Sequence, residues 1–178
     1  MESDIAEILL TEEQIAQRVA QLADRISTDY AGQPLMVVGV LTGAAVFAAD
    51  LIRRITLPLR LEFVRASSYR AGTVSSGTVA VASPLAMDLH PYHVLLVEDI
   101  VDTGFTARYL LQTLAARGPN SLALCTLLDR TSRRIVQVPV EFRCFEIPDR
   151  FVIGFGLDFK QLYRNLGCLA VMKLERNP

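Results

Sequence analysis

Apolar residues recur along this chain with two spacings, and the switch between them lays out its elements. Ile15, Val19, Leu22 and Ile26 fall on one helical face behind Thr11-Glu12-Glu13-Gln14, which has the form of a capping box. The pattern predicts an amphipathic helix ending near Gly32. Leu35 to Leu41 is a continuous apolar run, as expected of a strand buried on both faces. Thr42-Gly43 breaks it, and Phe47, Ala48, Leu51, Ile52 and Ile55 resume at helical spacing. Leu59 to Val64 reads as the next strand. A second strand, turn and helix follow: Val94 to Val97, then Glu98 to Thr106, then the stripe Ala107, Leu110, Leu111, Leu114 and Ala115, stopped by Gly118-Pro119. Leu122 to Leu128 is another buried strand. Val140, Phe142 and Cys144 alternate as in a strand with one wet face, and Phe151 to Phe155 and Leu169 to Met172 read as short strands.

Strands alternating with helices predict an α/β domain with a mainly parallel central sheet flanked by helices. Between two of the strands the composition shifts. Ser67 to Thr78 holds four serines, two threonines and two glycines, which predicts a long, mobile polar loop, with Thr78 to Ala82 as a returning strand. No repeat or linker interrupts the rest, and 178 residues suit a single domain spanning 1–178.

Composition narrows the partners. Half of the residues are hydrophobic, enough for a sizeable core, and 18 basic residues stand against 19 acidic, a net charge of −1. A nucleic-acid or membrane-surface partner would want a strong positive excess, so neither is expected. Cys125, Cys144 and Cys168 have no CxxC spacing and read as reduced thiols. His90 and His93 lack a metal-ligand spacing. Met1 to Leu10 carries three acids and no base, the wrong polarity for a signal peptide, and no apolar run approaches the roughly 18 residues of a membrane span. The expectation is a soluble, cytoplasmic protein.

The chemistry gathers in one stretch, Val94-Leu95-Leu96-Val97-Glu98-Asp99-Ile100-Val101-Asp102-Thr103-Gly104-Phe105-Thr106. In an open α/β sheet, ligands collect at the carboxyl ends of the strands. Glu98, Asp99 and Asp102 place three like charges at such an end, which is costly unless a cation or hydrogen-bond donors compensate. Thr103, Gly104 and Thr106 offer hydroxyls and close backbone approach, and the free N–H groups of the helix start suit a phosphate. Acids beside a phosphate cradle suggest a sugar-phosphate site. There is neither a Walker glycine-lysine loop nor a GxGxxG after any strand, so those nucleotide folds have no support.

This stretch resembles the motif by which the type I phosphoribosyltransferases bind phosphoribosyl pyrophosphate (PRPP): two bulky hydrophobics, two acids, two hydrophobics, then Asp-Thr-Gly-x-Thr. Val38 to Gly43, Ser67-Ser68-Tyr69, Phe145 to Asp158 and Tyr163 to Leu166 narrow the resemblance to the hypoxanthine-guanine branch, and together they run in the family's order from about Leu35 to Met172. The resemblance implies the family fold, with a small hood built from the terminal segments and a flexible loop at about 67–78. It implies transfer of phosphoribosyl from PRPP to N9 of a 6-oxopurine, with Mg2+ as cofactor, in a homodimer or homotetramer. Glu98 and Asp99 would hold the ribose hydroxyls and a magnesium ion. Asp102 would be the general base at purine N7, with Thr103, Gly104, Phe105 and Thr106 around the 5′-phosphate. Leu41-Thr42-Gly43 would bind pyrophosphate through a peptide that is cis when the site is filled, and Arg164 would add positive charge there. Ile100, Arg130, Phe151, Val152 and Asp158 would line the purine, Phe151 by stacking, with Asp158 also a ligand of a second magnesium. Ser68 and Tyr69 would belong to the closing loop.

Two positions depart from the family pattern. Thr42 stands where a basic residue is usual, and Arg130 where a lysine usually contacts the purine 6-oxygen. Arginine also donates, but its planar fork has a different reach. The competing reading is a regulatory or nucleotide-binding protein on the same fold; an RNA-binding regulator would want a basic face, and Arg130, Arg133 and Arg134 are the one local cluster. Asp102, the candidate base, favours an enzyme.

Overall fold

The computed structural model describes residues 4–71, 74–81 and 88–173, with only the backbone described over 67–81. Strand β1 (Ile5–Leu10) precedes helix α1 (Glu12–Asp29), which carries both hydrogen bonds of the capping box between Thr11 and Gln14. Then come β2 (Leu35–Leu41), α2 (Ala45–Ile52), β3 (Leu59–Ala71), β4 (Val74–Val81), β5 (His93–Val101), α3 (Phe105–Ala115), β6 (Ser121–Asp129), β7 (Phe142–Glu146), β8 (Val152–Ile153) and β9 (Leu169–Met172).

Six strands form the main sheet in the order β4-β3-β2-β5-β6-β7, all pairs parallel except β3 with β4. The apolar runs explain this. Side chains alternate across a strand, so each run feeds two cores. Leu35, Val37, Leu95, Val97 and Cys125 pack with Ile15, Val19, Leu22 and Ile26 of α1 and Phe47 and Leu51 of α2. Met36, Val38, Val94, Leu96 and Leu124 pack with Ala107, Leu110 and Leu114 of α3. A second, antiparallel sheet, β1-β9-β8, joins the two ends of the chain.

The structure moves several boundaries. Helix α1 stops at Asp29, with Tyr30 as C-cap, and α2 stops at Ile52, leaving Ile55 buried beyond it. Where a loop is expected over 67–78, the described residues are instead extended backbone, β3 and β4 pairing antiparallel; residues 72–73 lie outside the described residues. Val74, Thr78, Val79 and Val81 are β-branched and favour that pleat. The returning strand therefore starts at Val74, and Ala82 lies outside the described residues. Strand β5 continues through the acids to Val101, because Glu98, Ile100 and Val101 stay in register with Thr126, Leu128 and Asp129 of β6. The strand expected over 151–155 shrinks to Val152–Ile153, since Phe155 and its flanking Gly154 and Gly156 all have positive φ.

The chain leaves β2 toward β3 on one side and leaves β5 toward β6 on the other. The carboxyl ends of β2 and β5 therefore flank the crevice where strand order reverses.

Candidate active site

Four short segments converge at that crevice. The end of β5 contributes Glu98 and Asp99. Glu98 is 5% exposed, and its Oε1 is buried with no hydrogen-bond partner. Burial, reinforced by the charge of Asp99, pushes the Glu98 carboxyl well above the usual range. Burial also pushes Asp99 up to about 6; the backbone N–H groups of Ile100 and Asp99 and the charge of Arg164 hold it down, while Asp158 adds to the rise.

The end of β2 contributes Leu41-Thr42-Gly43. The Leu41–Thr42 peptide is cis, and the Thr42 side chain is exposed. Gly43 is required by contact: a Cβ there would lie 1.7 Å from Asp99 Oδ2. The turn after β8 closes on the same loop, since a Cβ on Gly156 would lie 2.2 Å from the Gly43 carbonyl oxygen. Beyond that turn Arg164 pairs with Asp158 at 2.7 Å and donates to the Gly156 carbonyl at 2.6 Å. Thus Gly43, Asp99, Asp158 and Arg164, distant in sequence, form one neighbourhood.

The turn after β5 contributes Asp102 to Thr106. Gly104 is the N-cap of α3 with φ +91°, and a Cβ there would meet the Val136 carbonyl oxygen at 2.2 Å, so only glycine fits. Phe105 and Thr106 open the helix, whose first N–H groups have no partner inside it. The Asp102 carboxylate is not splayed into solvent. Its Oδ2 lies 3.2 Å from Arg130 Nη1 and 3.6 Å from Arg133 Nη1, and its Oδ1 is buried without a partner. Arg130 is itself buried and donates to the Arg150 carbonyl at 2.6 Å, which fixes its guanidinium next to Asp102.

Phe151 is 39% exposed and forms a T-shaped pair with Phe159, ring centroids 5.7 Å apart, whereas Val152 is buried. Ile100 is half-buried against the α1-side core. The side chains of Ser68 and Tyr69 lie outside the described residues. Asp129, Arg133 and Arg134, which sequence reasoning did not place at the site, surround the Asp102 turn; a lone acid closing the apolar run of β6 was the available signal.

The donor set fits a hard cation. The orphaned Glu98 Oε1 and the carboxylates of Asp99 and Asp158 are oxygen ligands of the kind magnesium prefers. Among the described residues no group of three or more His, Cys, Asp or Glu side chains is placed to hold a metal ion; a magnesium ion held here by one or two of these carboxylates would take the rest of its shell from water and substrate oxygens. Among the described residues no helix is long and apolar enough to cross a membrane.

Comparisons with known proteins find relatives over nearly the whole chain. The phosphoribosyl transferase domain family matches residues 6–160. The hypoxanthine phosphoribosyltransferase of Haemophilus influenzae is 43% identical over 98% of this chain and 99% of its own length. The hypoxanthine-guanine phosphoribosyltransferase of Staphylococcus aureus strain Mu50 is 41% identical over 98% of each chain. A crystal structure of a hypoxanthine phosphoribosyltransferase from Staphylococcus aureus superimposes with a TM-score of 0.94 at 41% identity, covering 97% of this chain and 94% of that one.

Proposed function

Because the chain belongs to the hypoxanthine-guanine phosphoribosyltransferases, enzymes of purine salvage, we propose that the crevice at the carboxyl ends of β2 and β5 is where phosphoribosyl passes from PRPP to N9 of a 6-oxopurine. The observation that carries this reading is the buried, unpartnered carboxylate oxygen of Glu98, whose chain neighbour Asp99 packs against Gly43. Such a group is expensive to bury unless a bound species satisfies it.

Displacing pyrophosphate from the sugar builds positive charge on the ribose and negative charge on the leaving group. Glu98 and Asp99 lie beneath the ribose, accept its hydroxyls and tolerate the positive charge. Magnesium at Glu98 and Asp99, with a second ion at Asp158, would neutralise charge on the diphosphate. Arg164 and the backbone of Thr42 and Gly43 hold the pyrophosphate end. With Thr42 uncharged, Arg164 carries the cationic share of that contact. The amides and hydroxyls of Thr103 to Thr106 hold the 5′-phosphate at the start of α3. Phe151 stacks on the base, Ile100 lines its site, Val152 meets it through its backbone, and Arg130 donates to its 6-oxygen. Asp102 takes the N7 proton as N9 becomes nucleophilic. The hairpin bearing Ser68 and Tyr69 closes over the reacting atoms and excludes water. A homodimeric or homotetrameric, cytoplasmic enzyme acting without nucleic acid or membrane completes the proposal, resting on the family resemblance.

The test is product identification. The purified protein is incubated with PRPP, magnesium and each of five nucleobases. Nucleotide from hypoxanthine or guanine, with pyrophosphate released, is expected; nucleotide only from adenine or a pyrimidine would refute the base assignment. Asp102→Asn should lower turnover by about 100-fold or more with little change in substrate KM. An equal loss of both would make Asp102 a structural residue.

A further inference from the structure

The turn that carries Asp102 is fixed by its carbonyls, and one neighbouring segment, 130–136, holds those of residues 101 to 103. Arg134 donates from Nη2 to the Val101 carbonyl at 3.2 Å and from Nε to the Asp102 carbonyl at 3.0 Å. The backbone N–H groups of Ile135 and Val136 donate to the Thr103 carbonyl at 3.0 and 2.9 Å. The Arg130 N–H also reaches the Val101 carbonyl, at 3.0 Å. In a trans peptide the N–H points opposite to the carbonyl of the same plane. Turning the carbonyls of 101, 102 and 103 toward residues 134–136 therefore turns the N–H groups of Asp102, Thr103 and Gly104 away from them.

Arg134 is only 7% exposed, and its charge is answered by Asp129, 5% exposed. The second oxygen of Asp129 accepts from Arg143 Nη1 at 3.0 Å, and Arg143 also pairs with Glu146 at 3.2 Å. The stem of Arg134 lies beneath Gly104, 3.0 Å from where a Cβ would stand. Burying such a pair gives little net stability, and apolar side chains of similar volume often serve the fold as well. What apolar side chains lack is a planar fork that binds two successive carbonyls at once, and lysine lacks it too.

We infer that Arg134, held by Asp129 and Arg143, is a positioning residue that sets the Asp102 carboxylate and the 103–106 cradle relative to the end of β5. This rests on the reading of Asp102 as the base and of residues 103–106 as the phosphate cradle.

Three variants test it beside wild type: Arg134→Lys, the double swap Asp129→Leu/Arg134→Met, and Asp102→Asn. Each is assayed for thermal unfolding, kcat, and KM for PRPP and for the purine. The double swap removes both buried charges together, so it should unfold cooperatively near the wild-type temperature. Its kcat should fall about 100-fold and its KM for PRPP rise about 10-fold, the scale of an ångström-sized misplacement, with the purine KM within about threefold. Arg134→Lys keeps the charge, guards against a double swap that does not fold, and should lose about 10-fold in kcat with a raised PRPP KM. Wild-type kcat and KM in either folded variant would overturn the inference. So would a fall in kcat that merely tracks the folded fraction with both KM values unchanged. Wild-type turnover in Asp102→Asn would overturn the underlying reading, and the inference with it; loss there with intact Arg134 variants would sink the inference alone.

Discussion

Replacing Gly43 by alanine probes the crevice with a single methyl group. The new Cβ would stand 1.7 Å from Asp99 Oδ2 and 2.5 Å from its Cγ, where real Cβ atoms essentially never come closer than 3.0 Å, so the oxygen must retreat by about 1.3 Å. The other oxygen of Asp99 accepts from the Ile100 N–H at 2.9 Å, and that bond is stretched or lost in the move. The Gly43 backbone does not need the left-handed region, so alanine brings no conformational strain of its own. The disturbance should fall on the carboxylate and leave the fold intact. A lost hydrogen bond of this kind is worth about 1 kcal/mol, a shift of a few degrees in Tm for a domain of this size. An ångström-scale misplacement at a reacting centre costs about 100-fold in rate. Initial rates of pyrophosphate release, with PRPP varied at saturating magnesium and purine, should thus show kcat/KM for PRPP down about 100-fold in a protein that melts almost normally. A Gly43→Ala enzyme with wild-type kcat/KM would refute the claim that Asp99 works from the position it holds here. A protein that loses most of its stability would refute the claim that the clash is local.

Two further predictions use other parts of the site. Phe151→Ala should raise the purine KM about 10-fold, since base–aromatic stacking is worth about 1–3 kcal/mol, while Tm barely moves because the ring is 39% exposed; an unchanged KM would remove Phe151 from the base site. Asp99→Asn should stabilise the metal-free protein at neutral and higher pH. The folded carboxyl is raised to about 6 from 3.8, so the folded state binds the proton more tightly, and this group destabilises the fold increasingly as pH rises from about 4 to about 6. The Tm difference between variant and wild type should be largest above about pH 6 and vanish below about pH 4; a difference constant across that window would deny the burial of the charge.

How much of this could be read from the sequence depended on the range of the interactions. The capping box at Thr11–Gln14 and the runs feeding β2, β5 and β6 are local signals, and they fold as written. The acids at 98 and 99 looked like the start of a turn because charge rarely sits inside a buried strand. They remain in β5 since the ladder is made by backbone groups that do not depend on the side chain. Strand β1 was missed because its partner, β9, lies at the other end of the chain. The same limit hid the Asp129–Arg134 pair: each residue alone is an ordinary surface charge, and only the folded turn aims the Arg134 fork at the Val101 and Asp102 carbonyls. Conversely, Thr42 and Arg130 were conspicuous in the sequence. Arg130 turned out buried and paired with Asp102, and Thr42 exposed on the loop beside Asp99.

The crowding of carboxylates at the end of β5 makes physical sense if a metal-bound sugar diphosphate sits on them, and calorimetric titration with PRPP reaches that point most directly. With magnesium present the wild-type protein should bind PRPP, and chelation of the metal should weaken that binding, because the ion would be shared between the carboxylates and the substrate's phosphates. Glu98→Gln/Asp99→Asn should bind weakly in both conditions, with a much smaller response to magnesium, since only the ion proposed at Asp158 remains. Equal PRPP affinity with and without magnesium in the wild type, or an undiminished magnesium response in the double variant, would contradict the account.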